Sequence, residues 1–108
     1  MMYVEFKAGN NEYKLRLNTR AVVALEKQLG CNPLAIFGAG DTIPTITTMV
    51  QILHASMQAY EHGITMDKAF DIFDEYLKDH VMTDFIPVIL DIYRQSGLMR
   101  TVENNEKN

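Results

Sequence analysis

Residues 2–17 read Met2-Tyr3-Val4-Glu5-Phe6-Lys7-Ala8-Gly9-Asn10-Asn11-Glu12-Tyr13-Lys14-Leu15-Arg16-Leu17, and their spacing decides the fold class. Met2, Val4, Phe6 and Ala8 alternate with Tyr3, Glu5 and Lys7. Beyond Gly9-Asn10-Asn11 the alternation resumes, with Tyr13, Leu15 and Leu17 set against Glu12, Lys14 and Arg16. A period of two marks strands with one buried and one solvated face, so the segment predicts a β-hairpin. Asparagine tolerates positive φ, and a two-residue turn at Asn10-Asn11 is expected. That turn sets Ala8 opposite Tyr13, Phe6 opposite Leu15 and Val4 opposite Leu17 on one face. On the other face Glu5 opposes Arg16, and Lys7 opposes Lys14 at a small cost.

Downstream the period changes to that of helices. Asn18 is a good N-cap and Gly30 a good C′ residue, so a helix is expected between them, burying Ala21, Val22, Leu25 and Leu29. Asn32-Pro33 starts a short helix through Phe37, and Gly38-Ala39-Gly40-Asp41 reads as a loop. A long helix begins near Thr42-Ile43-Pro44 and runs to about His62, with Ile46, Met49, Val50, Leu53, Met57 and Tyr60 on one stripe. The next, capped by Thr65, extends to about Asp79. Met66, Ala69, Phe70, Ile72, Phe73, Tyr76 and Leu77 fill one side, and Asp67, Lys68, Asp71, Asp74, Glu75 and Lys78 the other. A last helix, capped by Thr83, ends at Ser96 with Gly97 as C′. The expected architecture is α+β and mostly α: a two-stranded N-terminal hairpin followed by a small bundle of three to five helices. Residues 1–99 form one globular domain. Residues 100–108 are polar and aperiodic, and are expected to be disordered.

Composition bounds the function. The chain has 108 residues and a net charge of −4, which argues against a nucleic-acid binder. One cysteine permits neither an internal disulfide nor a cysteine zinc cluster, and a reducing interior suits that count. No apolar run approaches the roughly 20 residues of a membrane span, and the N-terminus lacks a signal-peptide pattern. His54, His62 and His80 stand at no metal-binding helical spacing. Asp67, Asp71, Asp74 and Glu75 lie on a helix without the glycine of a calcium loop, and read as a solvated face or a dock for a basic partner. The Gly38-Ala39-Gly40 turn and lone Cys31 fit no nucleotide-binding or nucleophile motif. No catalytic, cofactor or metal residue is therefore assigned. Charge is uneven along the chain, with eight acids and two bases in residues 61–91 against five bases and three acids in residues 1–40.

The features left over concern contact. Two strands alone are marginal and leave edges unpaired, so the hairpin must pack on the helices, pair with another chain, or both. The last helix carries Phe85, Ile86, Val88, Ile89, Leu90, Ile92 and Tyr93, an apolar arc of roughly 200° at 100° per residue. A one-sided surface helix needs about half of that. Either this helix is wrapped by the others, or part of the arc meets a partner or a second copy. Leu98 and Met99, just beyond it, extend the apolar surface. Ile89, Ile92, Tyr93, Leu98 and Met99 are accordingly the candidate partner-binding residues.

Tyr13-Lys14-Leu15-Arg16-Leu17-Asn18-Thr19-Arg20-Ala21, running on to Leu25-Glu26-Lys27-Gln28-Leu29-Gly30 and Asn32-Pro33-Leu34, resembles the tail assembly chaperones of long-tailed bacteriophages and prophages of Gram-positive hosts. Gly63-Ile64-Thr65-Met66, Asp74-Glu75-Tyr76-Leu77 and Ser96-Gly97-Leu98 continue the resemblance over about residues 3–99. It implies a non-enzymatic protein without cofactor that binds the tape-measure protein and tail-tube subunits in the host cytoplasm and is absent from the finished virion. The alternatives are a structural tail or connector component retained in the particle and, less expected, a ligand-binding or enzymatic domain. A homo-oligomer fits the spare contact surface. Binding to nucleic acid or membrane is not expected.

Overall fold

A computed structural model describes residues 2–37 and 43–100. The loop expected at Gly38–Asp41 and nearly all of the polar tail lie outside the described residues. The order is a hairpin, β1 (Val4–Ala8) and β2 (Asn11–Leu15), then α1 (Thr19–Leu29), a 3-10 turn (Pro33–Phe37), α2 (Ile46–Met57), α3 (Met66–Tyr76), a second 3-10 turn (Met82–Asp84) and α4 (Phe85–Gln95). The fold is α+β and mostly α, as the sequence predicts.

The hairpin forms two residues out of the expected register. Val4 pairs with Leu15, Glu5 with Lys14, Phe6 with Tyr13, Lys7 with Glu12 and Ala8 with Asn11. The turn is therefore Gly9-Asn10 rather than Asn10-Asn11. Gly9 has φ +63°, whereas no non-glycine residue described has positive φ. That combination fits a turn with glycine at its first central position, where glycine alone escapes a steric penalty. The register also removes the Lys7–Lys14 repulsion, because both cross-strand charge pairs now have opposite signs. A shift of two preserves the faces. Phe6, Ala8, Leu15 and Leu17 are buried as expected, while Val4, at the open end, is only half-buried.

Caps fix the helices. The Asn18 side chain accepts from Ala21 N at 2.9 Å, and Gly30 closes α1 with φ +73°. Thr65 caps α3 by accepting from Lys68 N at 3.1 Å. Four boundaries differ from expectation. α2 begins later than the Thr42-Ile43-Pro44 expected, with Thr45 as its cap, accepting from Thr48 N at 3.1 Å; a residue before proline is held out of the helical region, and Ile43 precedes Pro44. α2 ends at Met57, where the Gln58 amide donates to the carbonyls of His54 and Ile64, each at 3.1 Å, and the chain turns toward Gly63. α3 ends at Tyr76 and continues as tighter turns, Lys78 N to Glu75 O and Asp79 N to Tyr76 O, each at 3.2 Å. Before α4, Thr83 lies inside the 3-10 turn, and the Asp84 carboxylate accepts from Val81 N at 3.1 Å.

The inner hairpin face meets α3 and α4 through aromatic rings. Phe6 lies 4.9 Å from Tyr76 and 5.7 Å from Phe85, centroid to centroid, and Phe73 contacts Phe85 edge-on at 5.2 Å. Met49, Ile52, Leu53 and Met57 of α2 and Ile89, Ile92 and Tyr93 of α4 complete the interior. The outer hairpin face is polar, with Lys14 set over the rings of Tyr3 and Tyr60 at 5.0 and 5.7 Å.

Two substitutions test this arrangement by urea denaturation. Phe6→Ala should cost about 3–5 kcal/mol, the loss typical of a buried aromatic ring. Gly9→Ala should cost about 1–2 kcal/mol from positive φ alone. Its new methyl would also lie 2.7 Å from Glu75 Oε1, a side chain that must move aside. A Gly9→Ala protein as stable as the parent would mean that the turn lies elsewhere.

Candidate functional site

The proposed partner residues sit at the C-terminal end of α4. Ile89, Ile92 and Tyr93 are fully buried within this chain, so the broad apolar arc of α4 is largely core. Its cover comes from α2, β1 and the segment at Pro33. The Tyr93 hydroxyl donates to the buried Pro33 carbonyl at 2.9 Å and holds that segment onto the helix. Leu98 and Met99 differ: both pack against the core and both keep part of their surface exposed. The helix ends as its sequence predicts. Gly97, at φ +82°, donates to Arg94 O at 3.2 Å, and Leu98 N donates to Tyr93 O at 2.8 Å. This is the paired closure that a C′ glycine allows.

The same helix end is tied to the hairpin by a side chain whose role sequence reasoning missed. Arg16 does not meet Glu5. Its Nη1 donates to Gln95 O at 2.7 Å and to Met2 O at 2.8 Å. A guanidinium at the negative end of a helix satisfies an orphan carbonyl and the helix dipole together. Beside it, Leu17 N donates to Ser96 Oγ at 2.9 Å, and Arg16 N donates to Ser56 O at 2.8 Å. The available signal was Arg16 at the end of a strand in a chain whose last helix needed a cationic cap; distance along the chain hid the match.

The residues with catalytic or metal-binding potential are dispersed. Among the described residues no three His, Cys, Asp or Glu groups are placed to hold a metal ion. His54 is half-buried, with Nε2 at 2.9 Å from Ile64 O. His80 stacks on Tyr76 at 4.2 Å, and His62 is exposed. Asp67, Asp71 and Asp74 are exposed along α3, and Cys31 is exposed. Two grooves stand out. One, of about 350 Å³, runs between α1 and α2 over Ala21, Ala24 and Ala55 with His54, Gln58 and His62 at its edge. The other, of about 550 Å³, follows β1 at Glu5 and Lys7, opposite Tyr76, Asp79, His80 and Val88. Exposed apolar side chains are scattered, the most open being Met2 at 64% and Val81 at 62%. No described helix is long and apolar enough to cross a membrane.

Residues 4–107 match the model of a family of unknown function, DUF6096. The chain belongs to this family. None of the curated proteins compared matches it, and none of the solved structures does. The DUF6096 match begins at the first residue of β1 and therefore takes in the hairpin, the Arg16 tie and all four helices.

Tyr93 gives a measurable handle on this site in the DUF6096 chain. Burial, with a smaller effect from Cys31, pushes its hydroxyl well above the ordinary tyrosine value of 10.0. The folded chain thus holds this proton more tightly than the unfolded chain. The resulting stability is fully present below pH 10.0 and is lost as pH rises from there toward the folded value. Burial raises Tyr76 and Tyr13 in the same direction. Tyr93→Phe should therefore flatten the alkaline fall in urea midpoint without abolishing it. At neutral pH it should cost about 1–3 kcal/mol by leaving the Pro33 carbonyl unpaired. An unchanged alkaline slope would refute the burial of this hydroxyl.

Proposed function

We propose that this protein is a non-enzymatic assembly chaperone for the tails of long-tailed bacteriophages or prophages. In this reading it acts in the cytoplasm of the bacterial host, binds the tape-measure protein and tail-tube subunits, and is left out of the finished particle. The observation that carries it is the run from Leu15 to Gly30, whose Leu-Arg-Leu, Thr-Arg-Ala and Leu-Glu-Lys-Gln-Leu-Gly order resembles that of tail assembly chaperones. The residues of this run do structural work. Leu15, Leu17 and Leu25 are buried, Arg16 ties β2 to α4, and Asn18 and Gly30 cap α1. A stretch of that kind supports a scaffold that presents surfaces.

The mechanism we infer is masking. A chaperone of this class must cover apolar or polymerising surfaces of its partners and then release them, so its own contact surface has to be modest and accessible. Leu98 and Met99 meet that description. They are part-exposed apolar side chains just after α4, packed against the core to which Ile89, Ile92 and Tyr93 belong. Methionine suits such a role because its unbranched side chain adapts to more than one partner.

Co-expression with candidate tape-measure and tail-tube proteins, followed by affinity capture, tests the proposal. The parent chain should retain at least one of the two. Met99→Asp should reduce that recovery severalfold, and its thermal stability should fall by about 1 kcal/mol or less. Mass analysis of purified particles should find the chain absent. Stoichiometric presence would make it a structural tail component instead, and failure to capture either partner would overturn the reading.

A further inference from the structure

The two edges of the hairpin are not equivalent. In an antiparallel pair, residues alternate between those that bond inward to the partner strand and those whose N–H and C=O face outward. The Arg16 amide points away from β1, since it donates to Ser56 O at 2.8 Å. With the observed register, that phase makes Glu5 and Lys7 the outward-facing residues of β1. Arg16, the residue after β2, thus ties the open end of the β2 edge to the end of α2, and on the same strand Lys14 lies over Tyr60 in the turn that follows α2. On the β1 edge, no backbone hydrogen bond from Glu5 or Lys7 is made outside the hairpin among the described residues. This edge borders the groove that passes Asp79 and His80, and both of its charged side chains are exposed.

We propose that the β1 edge is a self-association site, where β1 of a second copy pairs antiparallel about a two-fold axis at Phe6 to form one four-stranded sheet. The argument is charge complementarity within a register that the backbone itself limits. Outward-facing groups must meet outward-facing groups, so Glu5 and Lys7 can only lie opposite odd-numbered residues of the other strand. Centring on Glu5 sets Glu5 against Glu5, and centring on Lys7 sets Lys7 against Lys7. Centring on Phe6 sets Glu5 against Lys7 twice, and each such pair exchanges two backbone hydrogen bonds. The match then runs the full width of the sheet. Within each hairpin Lys14 already faces Glu5, and Lys7 faces Glu12. Each row of the joined sheet therefore reads Lys14, Glu5, then Lys7 and Glu12 of the second copy, alternating in sign at every step. Opposite charges in directly opposed positions stabilise a sheet and like charges destabilise it. A two-fold interface requires this kind of self-complementarity. The inference is independent of the chaperone reading.

The test is sedimentation equilibrium with matched charge reversals. The parent chain should show a monomer–dimer equilibrium. Glu5→Lys and Lys7→Glu, each alone, should weaken dimerisation roughly tenfold or more, since each sets like charges opposite in both symmetric pairs. Mixed in equal amounts, the two variants should form a heterodimer, because the lysines of one copy then face the glutamates of the other. Any cost of either change inside its own hairpin is the same before and after mixing, so recovery on mixing reports the interface alone. Lys7→Pro, which removes an outward N–H and leaves the hairpin ladder intact, should also give monomer. A parent chain that stays monomeric at the highest concentration reached overturns the proposal. So does a dimer indifferent to all three variants, or a mixture that fails to associate. Protection of the Glu5 and Lys7 amides from hydrogen exchange only on adding a tape-measure or tail-tube protein would assign the edge to a foreign strand, and also overturn it.

Discussion

The fold depends on Phe6 finding Tyr76 and Phe85. A hairpin of five-residue strands cannot hold its own apolar face out of water, and the ring of Phe6 is where that face enters the helical layer, edge-on to Phe85 and tilted against Tyr76. Phe73 and Tyr76 then carry the contact into α3, and Phe85 carries it into α4. Buried rings in such arrangements add directional preference to the loss of apolar surface. They therefore fix where the strands sit as well as whether they are covered. The polar tie from Arg16 to Gln95 works at the open end of the hairpin. The aromatic cluster near the turn and the guanidinium near the open end together leave the hairpin little freedom to slide or lift.

Much of this was legible in the residues because it is written locally. Asn18, Thr65, Gly30 and Gly97 act within one turn of where they stand, and each does in the structure what its chemistry predicts. The faces of the hairpin were legible for the same reason, since alternation needs no knowledge of the partner. Register was not. Gly9-Asn10 and Asn10-Asn11 both satisfy the alternation and both keep Phe6 inward. The choice falls to the positive φ that Gly9 takes at no steric cost and to the charge pairing that follows from it. Helix ends were misjudged where a side chain competes with the backbone. Gln58 draws off the carbonyls of His54 and Ile64, and the Asp84 carboxylate engages Val81 N. These are contacts between residues several positions apart, which periodicity does not encode.

The candidate site was legible only in part. The wide apolar arc of α4 is real, but width says how much cover a helix needs and not where the cover comes from. Here it comes from inside the chain, and the hydrogen bond from Tyr93 to Pro33 joins residues sixty positions apart. Leu98 and Met99 kept their interest because they follow the cap, where the helix can no longer bury what it carries. Arg16 was read as a surface charge answering Glu5. Its true partner is a carbonyl, and carbonyls are the same at every position of a sequence.

Charge at the β1 edge has a consequence that ordinary edge protection does not. A strand guarded by residues of one sign repels every strand that approaches, which is how many proteins keep their edges single. Glu5 and Lys7 differ in sign, so they discriminate instead of excluding. A parallel, in-register copy sets Glu5 on Glu5 and Lys7 on Lys7, and this is the arrangement from which open-ended stacking grows. Antiparallel registers centred on either charged residue repeat one of those clashes. The arrangement centred on Phe6 satisfies both charges, and its two-fold symmetry uses up the β1 edge of each copy. The outer edge of the resulting sheet is β2, tied at its open end to Ser56 by the amide of Arg16, the residue that follows the strand. Alternating sign on β1 thus selects, at that edge, the two-fold antiparallel pairing over the parallel stacking that an unpaired edge otherwise invites.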